Sequence, residues 1–320
     1  MDYVLDPELA AVAAAIPKLD LSDLASAREA ERLMVGHLPK YEARIPLSVQ
    51  DITISGQQNA AEVPARVYAP AEPLAPVPAL LYLHGGAFVM GGLLMADSTA
   101  RMLVERAGVT VVAVDYRLAP EHPYPAGLED SYAVLEWAVG KGEEYGIDPD
   151  RLGVLGESAG GGLAAALALL ARDRGGPRLA AQFLDAPTID DCLDTPSMTT
   201  LSDTPVWQSV NSPRSWRYYL QGTAEPGSTN VPIHAAPARA TVEDLSGLPP
   251  AYVTAYQIDP TRDEGLDYAR RLIQAGVPTE VHHYPGAFHM AHIIPGTAIG
   301  ARMIADRIEA IRRMLHVRTP

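Results

Sequence analysis

The sequence predicts a doubly wound α/β fold, a mostly parallel sheet with helices on both faces. Three observations carry this. Residues 79–83 and 109–115 are continuous apolar runs, the mark of strands buried on both faces of a parallel sheet. Such runs alternate with helical segments that stop at glycine, at Gly108, Gly146 and Gly276. At residues 152–171 a buried strand passes through Gly156-Glu157-Ser158-Ala159-Gly160 directly into an Ala/Leu helix.

The elements follow in order. The chain reads as helical up to about Tyr41, opened by Asp6-Pro7-Glu8, which supplies a cap, a first-turn proline and an acidic first turn. Residues 49–54 and 63–68 are short β-rich runs, placed as edge strands. After the strand at 79–83, Asp97 is placed to cap a helix through Leu103, Val104 and Ala107. A helix is then expected over 128–145, a strand over 152–155, a helix over 159–171 and a strand over 180–184. Strands at 251–258 and 279–284 flank a helix at 264–275, and a last helix carries Ile304, Ile308, Ile311 and Leu315 on one face. Between about 189 and 248 this rhythm breaks into Pro-punctuated segments with one helix, 213–221. An insertion of that length in an α/β fold is usually a lid. Four of the chain's 20 aromatics, Trp207, Trp216, Tyr218 and Tyr219, lie in it and are expected mostly to pack it.

Composition narrows the function. Of 320 residues 48% are hydrophobic and 20% charged, which excludes a disordered chain. The formal net charge of −14 repels phosphate backbones and anionic lipid, so neither nucleic acid nor a membrane surface is expected as a partner. One cysteine, Cys192, is expected as a small buried hydrophobe and fits a reducing, cytoplasmic setting. Asp2, Asp6 and Glu8 stand where a signal peptide needs positive charge.

The chemistry centres on Ser158. With 26 glycines, a Gly-x-Ser-x-Gly pattern arises by chance roughly 0.1 times in such a chain, so its setting matters more than its letters. A strand before it and a helix after it make a sharp turn that lifts the serine hydroxyl above the sheet, beside the positive end of a helix. His84-Gly85-Gly86-Ala87 directly follows another buried strand. There the Gly85 and Gly86 N–H groups, with that of Ala159, are placed to stabilise an oxyanion. A serine needs a base, itself oriented by a carboxylate. Of the nine histidines, His289 follows the Tyr284-Pro285-Gly286 turn and is placed to reach Ser158, with His292 as fallback. Asp259, Asp263 and Glu264 are candidate acids. Asp259 ends a strand stopped by Pro260, whereas the other two fall in a helix's first turn, so Asp259 is preferred. His289 and His292 lack the His-Glu-x-x-His spacing of a metal site, and no metal is expected.

With these motifs in view, the chain resembles the hormone-sensitive-lipase-like (bacterial family IV) esterases of the α/β-hydrolase fold. The matching stretches are His84-Gly85-Gly86-Ala87-Phe88, Asp115-Tyr116-Arg117-Leu118-Ala119-Pro120-Glu121, Gly156 to Gly161, Asp259-Pro260-Thr261-Arg262-Asp263-Glu264-Gly265, and Tyr284-Pro285-Gly286 with His289. They occur in family order from about residue 65 onward. The resemblance implies a cofactor-free and metal-free carboxylic ester hydrolase with a Ser158, Asp259, His289 triad, acting on small-molecule esters with short to medium acyl chains. It also implies a cap built from residues 1–45 and 190–245 over a core of 46–189 and 246–320, and a possible homodimer. Residues 6–20 and Thr204-Pro205-Val206-Trp207 further resemble one bacterial member of the family, which points to acetyl esters of bulky alcohols. Ala87 replaces the usual third glycine, and a modest effect is expected. Glu157 stands for the usual Asp or Thr, and Met290-Ala291 for Gly-Phe; with Phe88 and Trp207, Glu157 and Met290 are candidate substrate contacts. The rival readings are a non-catalytic ligand receptor, disfavoured because all three triad positions are filled, and an amidase or thioesterase using the same site.

Overall fold

Eight strands form one sheet in the computed structural model, in the order β1-β2-β4-β3-β5-β6-β7-β8. The structure describes residues 4–37, 40–55, 62–72 and 75–317, so Asp2 lies outside the described residues. The strands are β1 (Leu47–Ser55), β2 (Glu62–Pro70), β3 (Val77–Leu83), β4 (Thr110–Val114), β5 (Ile147–Glu157), β6 (Ala181–Asp185), β7 (Ala251–Ile258) and β8 (Thr279–Phe288). β1 and β2 pair antiparallel at one edge, and β4, β3, β5, β6, β7 and β8 run parallel. The described helices are α1 (Pro7–Ala13), α2 (Leu24–His37), α3 (Leu93–Ala107), α4 (Ala126–Lys141), α5 (Ala159–Asp173), α6 (Pro196–Thr200), α7 (Ser212–Tyr219), α8 (Arg262–Gln274) and α9 (Ala298–Met314). Among the described residues, no helix is long and apolar enough to cross a membrane.

Burial explains the parallel half. β4 and β6 are buried at every residue, as expected of strands covered by helices on both faces. One apolar cluster packs α4, α5 and α8 against one face; a second packs α3 and α9 against the other. Residues 159–171 of α5 are wholly buried, which its run of Gly and Ala permits. Its first turn lies so close to the sheet that a Cβ on Gly160 would overlap the Leu83 carbonyl. A Cβ on Gly156 would overlap that of Gly160, and one on Gly162 that of Thr188.

Several expected boundaries move. The N-terminal helical segment is two helices and ends at His37, short of Tyr41. α3 begins at Leu93 behind Gly92, and Asp97 lies inside it, accepting from Tyr68 Oη and Arg101 Nε instead of capping. β8 runs past Pro285-Gly286 to Phe288, because a shift in its pairing with β7 absorbs the turn. Cys192 is exposed, not buried.

Candidate active site

The parallel strands deliver the functional side chains to their C-terminal ends, where open α/β sheets place their sites. Ser158 follows β5, Asp259 follows β7 and His289 follows β8. Ser158 has φ 55°, a left-handed conformation that a non-glycine residue adopts only when its surroundings impose it. Here those surroundings are the Ser158 N–H bond to the Asp185 carbonyl at 2.8 Å and the tight glycine contacts on either side.

The three residues meet. His289 Nε2 lies 2.9 Å from Ser158 Oγ, and His289 Nδ1 lies 2.7 Å from Asp259 Oδ2. The other oxygen of Asp259 accepts from the Thr261 N–H and hydroxyl, both at 2.9 Å, which fixes the carboxylate plane. All three side chains are buried, Ser158 the least so at 9% exposure. The alternatives lie elsewhere. Asp263 accepts from the Ser197 N–H at 2.7 Å, and Glu264 from the Ile189 N–H at 3.1 Å. Burial, reinforced by Asp190, pushes the Glu264 carboxyl well above the usual range. His292 sits on the far side of the turn, in a separate polar cluster.

The loop after β3 faces Ser158. A Cβ on Gly85 would lie 3.5 Å from Ser158 Cβ, and Gly86 has φ +123°, open only to glycine. Among the described residues the N–H groups of Gly85 and Gly86 have no hydrogen-bond acceptor, while the Gly86 carbonyl takes the N–H groups of Val89 and Met90. Ala159 opens α5, so its N–H has no acceptor one turn back. The loop is braced from below by Tyr116, whose hydroxyl donates to the His84 carbonyl at 2.7 Å and whose ring stacks on His84 at 4.2 Å. Burial drives the His84 imidazole down to about 4, so it is neutral at physiological pH.

Both the N-terminal segment and the insertion reach this loop. Arg28 of α2 donates to the carbonyls of Val89 and Ala119 and forms a two-pronged ion pair with Glu121. Ser215 of α7 donates to the Ala87 carbonyl at 2.8 Å. Asn211 joins the two segments, accepting from the Leu21 N–H and donating to the Leu19 carbonyl.

Two expected substrate contacts, Phe88 and Glu157, have partners within the fold. The Phe88 ring stacks on Tyr219 at 4.0 Å, tilts against Trp216 at 5.4 Å and lies against Gly162, so its surface is taken up by packing. Glu157 alternates to the opposite side of β5 from the serine turn, where its carboxylate pairs with Arg307 at 2.7 Å. Trp207 is nearly buried among Leu21, Val89 and Met90, with its indole N–H on Ser212 Oγ. Met290, directly after His289, is buried in a left-handed conformation. Sequence reasoning missed Arg307. It occupies the apolar stripe of the last helix, between Ile304 and Ile311, and a charged residue there signals a buried partner.

Comparison with known proteins identifies the family. A family model described as the alpha/beta hydrolase fold matches residues 80–293. Carboxylesterase NlhH of Mycobacterium tuberculosis is 39% identical over 274 residues, covering 84% of each chain. The chain belongs to the hormone-sensitive-lipase-like carboxylesterases of the α/β-hydrolase fold. It is thus a carboxylic ester hydrolase. Esterase LipI of Mycobacterium tuberculosis is 38% identical across 98% of this chain and 96% of its own. Among solved structures, a bacterial heroin esterase superposes with a TM-score of 0.93 at 42% identity, covering 99% of both chains.

Proposed function

We propose that this carboxylesterase works through a Ser158, Asp259, His289 triad on short- to medium-chain acyl esters, acetyl esters of bulky alcohols among them. The observation that carries the reading is the unbroken line from Asp259 through His289 to Ser158 Oγ, at 2.7 and 2.9 Å. Ser158 Oγ attacks the ester carbonyl carbon while His289 Nε2 takes its proton, and Asp259 stabilises the imidazolium that forms. Negative charge moves to the carbonyl oxygen, where the N–H groups of Gly85, Gly86 and Ala159 receive it. The tetrahedral species collapses as His289 returns the proton to the leaving alcohol, leaving Ser158 acylated. Water, deprotonated by the same histidine, then attacks the acyl carbon and restores the serine as the carboxylic acid departs. No step needs a metal or cofactor.

In this reading residues 1–45 and 190–245 form the cap, supported by the Asn211 bridge between them and by their shared hold on the 84–92 loop. The single exposed cysteine fits a cytoplasmic setting, and the family resemblance supports a homodimer, which light scattering of the purified protein would reveal. The test of the chemistry is hydrolysis of p-nitrophenyl esters from acetyl to palmitoyl, beside matched amides and thioesters. Turnover peaking at short acyl chains, favouring esters and absent in Ser158→Ala, is expected. Undiminished turnover in that variant would refute the mechanism.

A further inference from the structure

Directly behind the serine turn lies a buried charge cluster that the reaction scheme leaves unused. Arg307 of α9 donates through Nη1 to Glu157 at 2.7 Å and through Nη2 to Asp185, and that nitrogen lies 3.2 Å from His292 Nε2. Tyr82 donates to the second Glu157 oxygen. Tyr256 donates to Asp185 at 2.6 Å and lies 3.1 Å from His292 Nδ1, and Thr254 adds its hydroxyl to Asp185. Glu157, Asp185 and Arg307 are each 3% exposed. Glu157, Asp185 and His292 bring their ligand atoms close enough for a metal ion, but the Arg307 guanidinium touches all three and supplies the positive charge itself.

What the cluster connects is the informative part. Glu157 is bonded to Ser158, and the Asp185 carbonyl accepts the Ser158 N–H. Tyr256 precedes Asp259 by three residues at the end of β7, and His292 follows His289 by three in the turn after β8. Each segment that carries a triad member is therefore tied to a single guanidinium, β5 and the 289–292 turn directly through Glu157 and His292, and β7 through the Asp185 carboxylate that accepts from Tyr256 and Thr254. We infer that Arg307 is a positioning residue, which holds the ends of β5, β7 and the 289–292 turn in register so that Ser158, His289 and Asp259 stay within hydrogen-bond reach. This rests on the triad reading above. Glu157 is the length the tie requires: aspartate would withdraw the carboxylate by about 1.5 Å, one carbon–carbon bond. Misplacement on that scale, remote from the reacting atoms, lowers rates by up to roughly 10²-fold.

The test compares the full-length wild-type protein with Tyr256→Phe, Glu157→Asp and Arg307→Lys. Three quantities are measured: the thermal midpoint, kcat and KM for p-nitrophenyl acetate, and the rate at which a fluorophosphonate labels Ser158. Folded variants are expected to keep KM within about twofold while kcat and labelling fall together, about tenfold for Tyr256→Phe and roughly 10- to 100-fold for the other two. Tyr256→Phe removes one hydroxyl and keeps the ring, so it decides the matter if Arg307→Lys or Glu157→Asp does not fold. Variants with lowered thermal midpoints but wild-type kcat and labelling would make the cluster a stabilising element only and overturn the proposal. A wild-type protein that fluorophosphonate does not label at Ser158 would overturn the triad reading, and this inference with it.

Discussion

Two buried polar clusters meet at residues 157 and 158, built from nearly the same side-chain types to opposite effect. The one through Ser158 is a line: carboxylate, imidazole, hydroxyl, each touching the next, with its last atom at the least buried end. The one through Glu157 is a closed mesh in which Glu157, Asp185, Arg307 and His292 each have several partners. In the proposed mechanism the hydroxyl at the free end of the line gives its proton inward to His289, whereas a mesh has no free end to take part. If both proposals hold, connectivity, more than residue type, separates a reactive site from a rigid one.

The sharpest break comes from cutting the line at its end. Ser158→Ala should lower kcat by a factor on the order of 10⁵, leaving the thermal midpoint nearly unchanged because it removes one weakly buried hydroxyl. His289→Ala should be about as severe, and the double variant little worse, since the two act as a unit. Steady-state kinetics beside a thermal melt checks both. Cutting the mesh should show the reverse balance. Arg307→Met leaves two buried carboxylates without their cation and should reduce stability by about 3–5 kcal/mol, read from urea unfolding.

Acid separates the clusters further. Burial by itself raises the Glu157 carboxyl, but His292, Arg307 and Tyr82 outweigh it and hold it well below the ordinary 4.5. The unfolded chain therefore takes up a proton there before the folded one does. The resulting stability is fully present above about pH 4.5 and is lost as pH falls below it. The urea midpoint should drop more steeply across that range in the wild type than in Glu157→Gln. The smallest effect is expected at Cys192, outside both clusters. Partial burial and the neighbouring Asp190 push its thiol up to about 11, so Cys192→Ser should leave kcat unchanged, and a disulfide reagent should label the wild type only slowly at pH 8.

The line was legible in the sequence because each member sits beside local punctuation: glycines around Ser158, Pro260 after Asp259, Pro285-Gly286 before His289. The mesh was not. Its residues, Tyr82, Glu157, Asp185, Tyr256, His292 and Arg307, come from separate elements and share no spacing; only the charge on the apolar stripe of α9 hinted at it. Strand cores were legible for a similar reason, since continuous apolar runs survive any choice of partner. Their ends were not: β5 starts at Ile147, where Asp148, Pro149 and Asp150 carry no strand signal and only the pairing of Ile147 with Val77 extends it. α3 began earlier than expected because Gly92 precedes it without any side-chain cap to announce the start.

The close seating of α5 on the sheet has a consequence for how such an enzyme diverges. Gly156, Gly160 and Gly162 each lack room for even one carbon, so no single codon change there leads to another working elbow. A mutational library aimed at new substrates would waste its members on this stretch. Variation has room instead in the segments that reach over the 84–92 loop, α2 with Arg28 and the 190–245 insertion with Ser215, whose polar holds on that loop are one side chain each and can be exchanged one at a time.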